Sequence, residues 1–202
     1  MSNINPSALE KISYGIFLLT SSCDNSHYGC IINTVSQATV SPLSVSVIVN
    51  KDSYTHDKIQ ESGKLAISVL TEDVPFSVIE HFGFQSGRTV DKFSDPSSFG
   101  RTSSGLLYES NYANAVFEAD VFSTMDMGTH TLFAGKVTQS IVLSDKPSAT
   151  YKYYHEHIKP KFNATKGYVC KICGYVYNGE TLPADFVCPL CKHGVEAFEK
   201  SN

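Results

Sequence analysis

The 202-residue sequence has no tryptophan, only three methionines and 18% charged residues. It also lacks an excess of positive charge, with 16 Lys and Arg against 20 Asp and Glu for a net of −4. That balance argues against a nucleic-acid-binding protein, which would be expected to carry a basic face. No apolar run approaches the roughly 18 residues of a membrane-spanning helix, and the opening MSNINPSALEK lacks the basic-then-apolar build of a signal peptide. A cytoplasmic protein without a membrane partner is the expectation. No G-x-G-x-x-G follows a strand-like stretch and no G-x-x-x-x-G-K-[ST] occurs, so neither a Rossmann site nor a P-loop can be invoked. Internal repeats and low-complexity segments are missing too.

What is present is unevenly placed. Of six cysteines, four fall between residues 170 and 191. Charge is uneven as well: residues 1–143 carry eight basic and fourteen acidic side chains, residues 144–167 five and two, and residues 168–202 three and four. The chain therefore reads as a body over 1–143, a basic connector over 144–167 and a small tail over 168–202. The connector is expected to begin as a short helix and to become extended from Lys159-Pro160.

In the body the dominant period is two. Residues 12–20, 29–40, 43–49, 64–70, 113–124 and 130–143 are β-branched, aromatic or alternating, which predicts six strands and a mainly β barrel or sandwich. Two short helices are expected between them, one opening at Ser53 and one opening at Asp73 with Pro75 in its first turn. The stretch from Gly83 to Gly105 is rich in Gly and Ser and too long for a mere connection, which marks it as functional.

The tail carries the sharpest motif. Cys170-x-x-Cys173, fourteen residues, then Cys188-x-x-Cys191 is the spacing of a tetrahedral four-thiolate metal site built from two knuckles. Gly174 supplies the αL-tolerant residue after the first knuckle, while Lys192 stands at the equivalent place in the second, with Gly194 two further on. A redox dithiol pair or two disulfides fit a cytoplasmic chain less well. Iron and zinc both accept four thiolates. An electron-transfer iron benefits from an apolar jacket, and Tyr168, Tyr175, Tyr177, Phe186 and Phe198 surround the knuckles in sequence. Cys23 and Cys30 flank a probable turn, DNSHYG, and are assigned no chemistry. His155 and His157 are two apart, which puts them on different sides of a helix, and they read as surface residues.

Y-V-C-K-I-C-G-Y-V-Y, a central P-A-D-F, C-P-L-C and a late Phe resemble rubredoxin, and the fourteen-residue gap resembles the shortened modules of rubrerythrin. The absent tryptophan and Lys192 are the departures. That resemblance favours one iron held by Cys170, Cys173, Cys188 and Cys191 over a structural zinc ribbon. The body resembles the flavin reductase-like, FMN-binding split-barrel family, in the branch that includes flavoredoxin. The segments that carry this are Y-G-I-F-L-L-T (14–20), G-C-I-I-N-T-V-S-Q-A-T (29–39), P-L-S-V-S-V-I-V-N-K-D-S-Y-T-H (42–56), E-H-F-G-F-Q-S-G-R-x-x-D-K-F (80–93) and G-x-H-T-L-F-A-G-K-V (128–137). The two together resemble the high-molecular-weight rubredoxins. The resemblance implies a Greek-key split barrel, a homodimer with flavin at its interface, NADH or NADPH as donor, and a flavodiiron oxygen or nitric oxide reductase as acceptor.

The residues suit FMN on their own terms. Asn33, Thr34, Val35, Gln37 and Thr39 supply donors and acceptors along one strand for the ring edge. Asn50, Lys51, Ser53, Tyr54 and Thr55 open a helix, where orphan N–H groups favour a phosphate. Phe84, Gln85, Ser86 and Gly87 are expected to cover the flavin, with Arg88 or Lys92 as added phosphate contacts. His130, at the start of the last strand, is a candidate for touching flavin or nicotinamide; a buried, hydrogen-bonded strand histidine is the other reading. Electron counting then gives a mechanism: nicotinamide gives two electrons, iron takes one, and FMN mediates between them. Two other functions stay open, an FMN and iron carrier reduced by another protein, and a flavin-binding module with a zinc ribbon.

Overall fold

The computed structural model describes residues 8, 11–160, 167–171, 174–189 and 193–201. The chain divides into two compact units, Met1–Ile158 and Lys159–Asn202. Strands of the first unit are β1 (Phe17–Cys23), β2 (Ser26–Ile32), β3 (Val35–Val40), β4 (Leu43–Asn50), β5 (Lys64–Leu70), β6 (Gly100–Arg101), β7 (Leu107–Tyr108), β8 (Ala113–Asp126) and β9 (His130–Val142). Its helices are α1 (Tyr54–Ser62) and α2 (Phe76–Gly83). Seven strands make one antiparallel sheet in the order β2-β1-β5-β8-β9-β4-β3, and β6 and β7 form a separate ribbon.

The two edges of that sheet, β2 and β3, are consecutive pieces of one segment, separated by Asn33 and Thr34 alone. The sheet therefore has to curl until its edges approach, which makes a split barrel. Periodicity predicts one strand over 29–40, and the structure breaks it here. Thr34 accepts from the Ile48 amide at 3.1 Å and donates its hydroxyl to the Ile48 carbonyl at 2.8 Å, which turns the chain from one edge to the other. The first strand also starts later than the expected residue 12. Gly15 and Ile16 pair instead with Thr150 and Ala149 of the connector.

Strand alternation sends Leu18 and Leu19 to opposite faces, and both are fully buried. Leu19 joins Val47, Val49, Ile67, Phe133 and Ile59 of α1 in the inner cluster. Leu18 joins Leu70, Ile79, Phe82, Phe93 and Tyr154 in a second cluster beneath α2. The long stretch after α2 is thus anchored through its own aromatics, with Phe82, Phe93 and Phe99 in mutual ring contact at 5.0 to 5.9 Å. α2 begins at Phe76 rather than at Asp73, because the Asp73 carboxylate is engaged by the Thr71 hydroxyl and Lys146 and sits in the preceding turn. The connector opens with one helical turn, Tyr151–Tyr153, capped by the Thr150 hydroxyl, and continues as a π-turn over Tyr154–Ile158. Most of its expected extended half lies outside the described residues.

In the second unit, β10 (Tyr168–Cys170) lies between β11 (Val176–Tyr177) and β12 (Phe198–Lys200). Four of the five aromatic side chains singled out from sequence gather: Phe186 contacts Tyr175, Tyr177 and Phe198 at centroid distances of 6.3, 4.7 and 5.4 Å. No described helix is long and apolar enough to cross a membrane.

Candidate functional site

One end of the barrel collects most of the residues chosen for phosphate binding. β4 ends at Asn50, whose side-chain oxygen accepts from the Asp52 amide at 2.9 Å and shapes the turn into α1. Beside it, the tip of the β8–β9 hairpin is tied down twice: the Lys51 amide donates to Thr129 at 3.0 Å and the Lys51 ammonium pairs with Asp126 at 2.7 Å. His130 is the register partner of Asn50, half-buried, with Nδ1 2.9 Å from the Thr129 hydroxyl. It is thus a hydrogen-bonded strand histidine that keeps part of its surface open to solvent.

Ser53 is the N-cap of α1, but its side chain makes no capping hydrogen bond. The first-turn N–H groups are left without a side-chain oxygen, which fits an anion placed there. The Ser53 and Thr55 hydroxyls lie beside the Cys30 thiol on β2; burial pushes that thiol up, and the two hydroxyls pull it back only in part. The Thr34 bend reaches the same end through Ile48, two residues before Asn50. Val35, Gln37 and Thr39 run away from it along β3, so Gln37 lies about 10 Å from Thr34 at roughly 3.3 Å per residue. Thr39 closes the turn at the far end, bonding Pro42 and Ser44.

Of the covering segment, Gly87 packs against Tyr54. Ser86 accepts from the Arg88 amide, and Gln85 is exposed. Phe84 caps α2 and packs on Phe76 at 6.0 Å. Arg88 reaches α1, pairing with Asp57 at 2.6 Å and lying 4.6 Å over the Tyr54 ring. Lys92 departs from the expectation. Its ammonium is buried and donates to the Gly29 and Phe82 carbonyls at 3.0 and 2.8 Å, so it anchors the chain instead of facing a phosphate. Burial holds its pKa below the usual lysine range.

Sequence reasoning missed His56. It is buried, with Nε2 2.8 Å from the Thr131 hydroxyl and Nδ1 3.1 Å from Asp57. Its place in S-Y-T-H-D, directly after the phosphate candidates, is the one signal that could have drawn attention to it.

In the tail, Cys170 and Cys188 are fully buried, while Cys173 and Cys191 lie outside the described residues. The Cys170 amide donates to the Tyr175 carbonyl and the Cys188 amide to the His193 carbonyl, both at 2.8 Å and both five residues on. The first cysteine of each pair thus makes the same backbone bond. Gly174, at φ +83°, has the left-handed conformation that its position requires, and its N–H donates to Cys170 at 2.7 Å. Two buried thiols on matched turns suit a thiolate-bound metal. Cys23 and Cys30 are free thiols, and Cys23 closes β1 before a two-residue turn of Asp24 and Asn25, both at positive φ.

The family model described as "Flavin reductase like domain" matches residues 9–161. The chain belongs to the flavin reductase-like family. A second model, "Rubrerythrin, rubredoxin-like domain", matches residues 168–199. Among curated relatives, high molecular weight rubredoxin of Moorella thermoacetica is 35% identical over 96% of this chain and 98% of its own length. Ferric-chelate reductase (NAD(P)H) of Archaeoglobus fulgidus is 38% identical over 73% of this chain and 87% of its own. The NADH:FAD oxidoreductase SgcE6 of Streptomyces globisporus has the same fold, with a TM-score of 0.66 at 19% identity over 74% of this chain and 92% of its own. A flavin reductase-like split barrel and a rubredoxin-like module in one chain make this a flavin-dependent electron-transfer protein.

Proposed function

We propose that the protein is an NAD(P)H:rubredoxin-type oxidoreductase that passes electrons from NADH or NADPH through FMN to an iron held by Cys170, Cys173, Cys188 and Cys191, and on to a protein acceptor such as a flavodiiron reductase. The observation that carries the reading is the convergence of Asn50, Lys51, Ser53, Tyr54 and Thr55 with Gly87 and His130 at one barrel end, in a chain that also carries the four-cysteine tail. When bound, FMN accepts two electrons from a nicotinamide and returns them singly.

The chain's own groups do the rest. The uncapped first turn of α1, from Ser53 through Thr55, holds the phosphate through its backbone N–H groups. The Asn33-Thr34 bend and the start of β3 offer backbone and amide groups to the ring. His130 stands at the rim, where it can orient a nicotinamide. Covalent tethering replaces a diffusive encounter between flavin and iron with an intramolecular one.

A homodimer belongs to the same reading. Residues 122–126 of β8 and 36–40 of β3 are exposed on both faces, which alternation in a lone barrel does not explain. Among them Val40, Phe122 and Met125 are 79, 65 and 61% exposed. A second copy would cover them.

The deciding experiment is an anaerobic visible spectrum of purified protein with metal analysis, followed by NADH or NADPH. Flavin and ferric-thiolate bands that bleach together on nicotinamide support the proposal. Bleaching that needs an added reductase makes the protein a carrier, and stoichiometric zinc without thiolate-to-iron absorption makes the tail a structural ribbon.

A further inference from the structure

Four side chains, Arg88 among them, form one continuous chain of contacts beside the first turn of α1. The Thr131 hydroxyl lies 2.8 Å from His56 Nε2, His56 Nδ1 lies 3.1 Å from Asp57 Oδ1, and Asp57 Oδ2 lies 2.6 Å from Arg88 Nη2. With Asp57 ionised, Nδ1 of a neutral His56 carries the proton, so Nε2 accepts from Thr131 and every member is satisfied. Burial pushes the Asp57 carboxyl up, but the bonds from His56 and Arg88 outweigh it, and the group titrates below the usual carboxylate range.

The chain joins two things that are far apart in sequence. At one end is β9, one residue from His130; at the other is the segment after α2. That segment is fastened a second time at Lys92, whose ammonium donates to the Gly29 and Phe82 carbonyls while His81 Nε2 lies 2.9 Å from the Lys92 carbonyl. Residues 84–91 are therefore a strap held at both ends, with Gly87 against Tyr54 in the first turn of α1. A phosphate seated at that turn lies beside the strap.

We infer that the Thr131–His56–Asp57–Arg88 chain is a positioning network that holds the strap across the first turn of α1 and keeps the flavin resident instead of letting it exchange. The inference rests on the flavin reading above and adds to it the residues that set how long flavin stays. Residence matters here because a flavin that leaves after reduction carries its electrons away from the metal in the same chain. The Arg88–Asp57 pair is half-exposed, 50 and 43%, and such a pair alone contributes little. What makes it a fastening is the support behind Asp57, the buried His56 and its bond to Thr131.

The test is FMN release from the full-length, metal-loaded protein, followed by the recovery of free-flavin fluorescence on dilution. Asp57→Asn is expected to speed release about fivefold and Arg88→Ala about tenfold, with Arg88→Lys between Arg88→Ala and the parent. Thr131→Val, which lies three contacts from Arg88, is expected to speed release about twofold. The flavin-free Arg88→Ala and Arg88→Lys variants, altered at a half-exposed pair, should unfold at the parent's midpoint, which separates positioning from general loosening, whereas Thr131→Val, which leaves buried His56 Nε2 without its partner, is expected to lower it. Release at the parent rate in all four overturns the inference, as does faster release matched by a lowered unfolding midpoint in the two Arg88 variants. If Asp57→Asn does not fold, Thr131→Val and Arg88→Lys decide the matter. A parent protein that holds no FMN overturns the flavin reading itself, a result distinct from any of these.

Discussion

The two units are held together by different means. In the first, whole aliphatic and aromatic side chains vanish from solvent on both faces of the sheet, with Leu18, Leu19, Ile67, Leu70 and Phe133 at 0% exposure. In the second, Cys170, Cys188 and Ala197 are the buried core residues among those described, and two of these three are the ligand type. A unit of that size has too little apolar surface to offset chain entropy. On the proposed reading its thiolate site stands where a hydrophobic core would otherwise be, so one element would serve both folding and electron transfer. The barrel separates the two: its core is at the sheet and its candidate site is at one end.

That comparison breaks if the tail survives without metal. Stripping the metal with a chelator, or substituting Cys188→Ser, is expected to abolish the β10–β12 sheet outright, because binding free energy at such a site is folding free energy. Amide exchange read by NMR should show Val169 and Cys170 losing all protection while the barrel strands keep theirs. A tail sheet that stays protected after metal is removed would show that the aromatics around Phe186 suffice as a core.

The reciprocal change is next in size. Phe133→Ala opens the inner cluster at a fully buried position and is expected to cost the barrel about 3–5 kcal/mol, measured by denaturant unfolding. The tail's metal absorption should not change. Coupled loss of both would mean that the units do not fold independently.

Lys92→Met tests a smaller fastening. It removes the donor shared by Gly29 and Phe82 and leaves two carbonyls without it, an expected loss of about 1–3 kcal/mol in barrel stability with no change in the tail. A stabilised variant would mean that desolvating the ammonium outweighs its two bonds, as happens for some buried ions.

Much of this architecture was legible in the sequence, and what was not has a common cause. Local patterns succeeded: 43–49, 64–70, 113–124 and 130–143 all became strands within a few residues of their expected ends, and Ser53 does stand at the N-cap position of α1. Contacts between distant residues were not legible. The break at Asn33-Thr34 depends on Ile48, the late start of β1 depends on Ala149 and Thr150, and the displaced start of α2 depends on Lys146. Lys92 looked like a phosphate contact because a lysine after a Gly- and Ser-rich stretch usually faces solvent; its acceptors come from β2 and α2. His56 is 75 residues from Thr131, and periodicity gives no sign of that bond. The cysteine spacing, by contrast, is a local pattern, and the two of its cysteines that are described, Cys170 and Cys188, are both buried.

The smallest expected effect concerns where the barrel ends and the connector begins. Lys146 pairs with Asp73 at 2.7 Å, both about half exposed, and so ties the connector's first residues to the turn before α2. The Lys146 bond and the Thr71 hydroxyl hold the Asp73 carboxyl below its ordinary value. A carboxyl with a depressed folded pKa adds stability above its unfolded pKa and loses it as pH falls through the folded one. The pair is therefore intact at pH 7, and its contribution fades as pH falls below about 4 toward the depressed folded value. Lys146→Ala should shift the barrel's melting midpoint by less than about 2 °C at pH 7 and by a smaller amount at pH 3. A shift of equal size at both pH values would show that Lys146 acts through its aliphatic stem, and the connector would then be fastened by packing around Ala149 and Tyr154 and by its backbone bonds to Ile16 and Leu70.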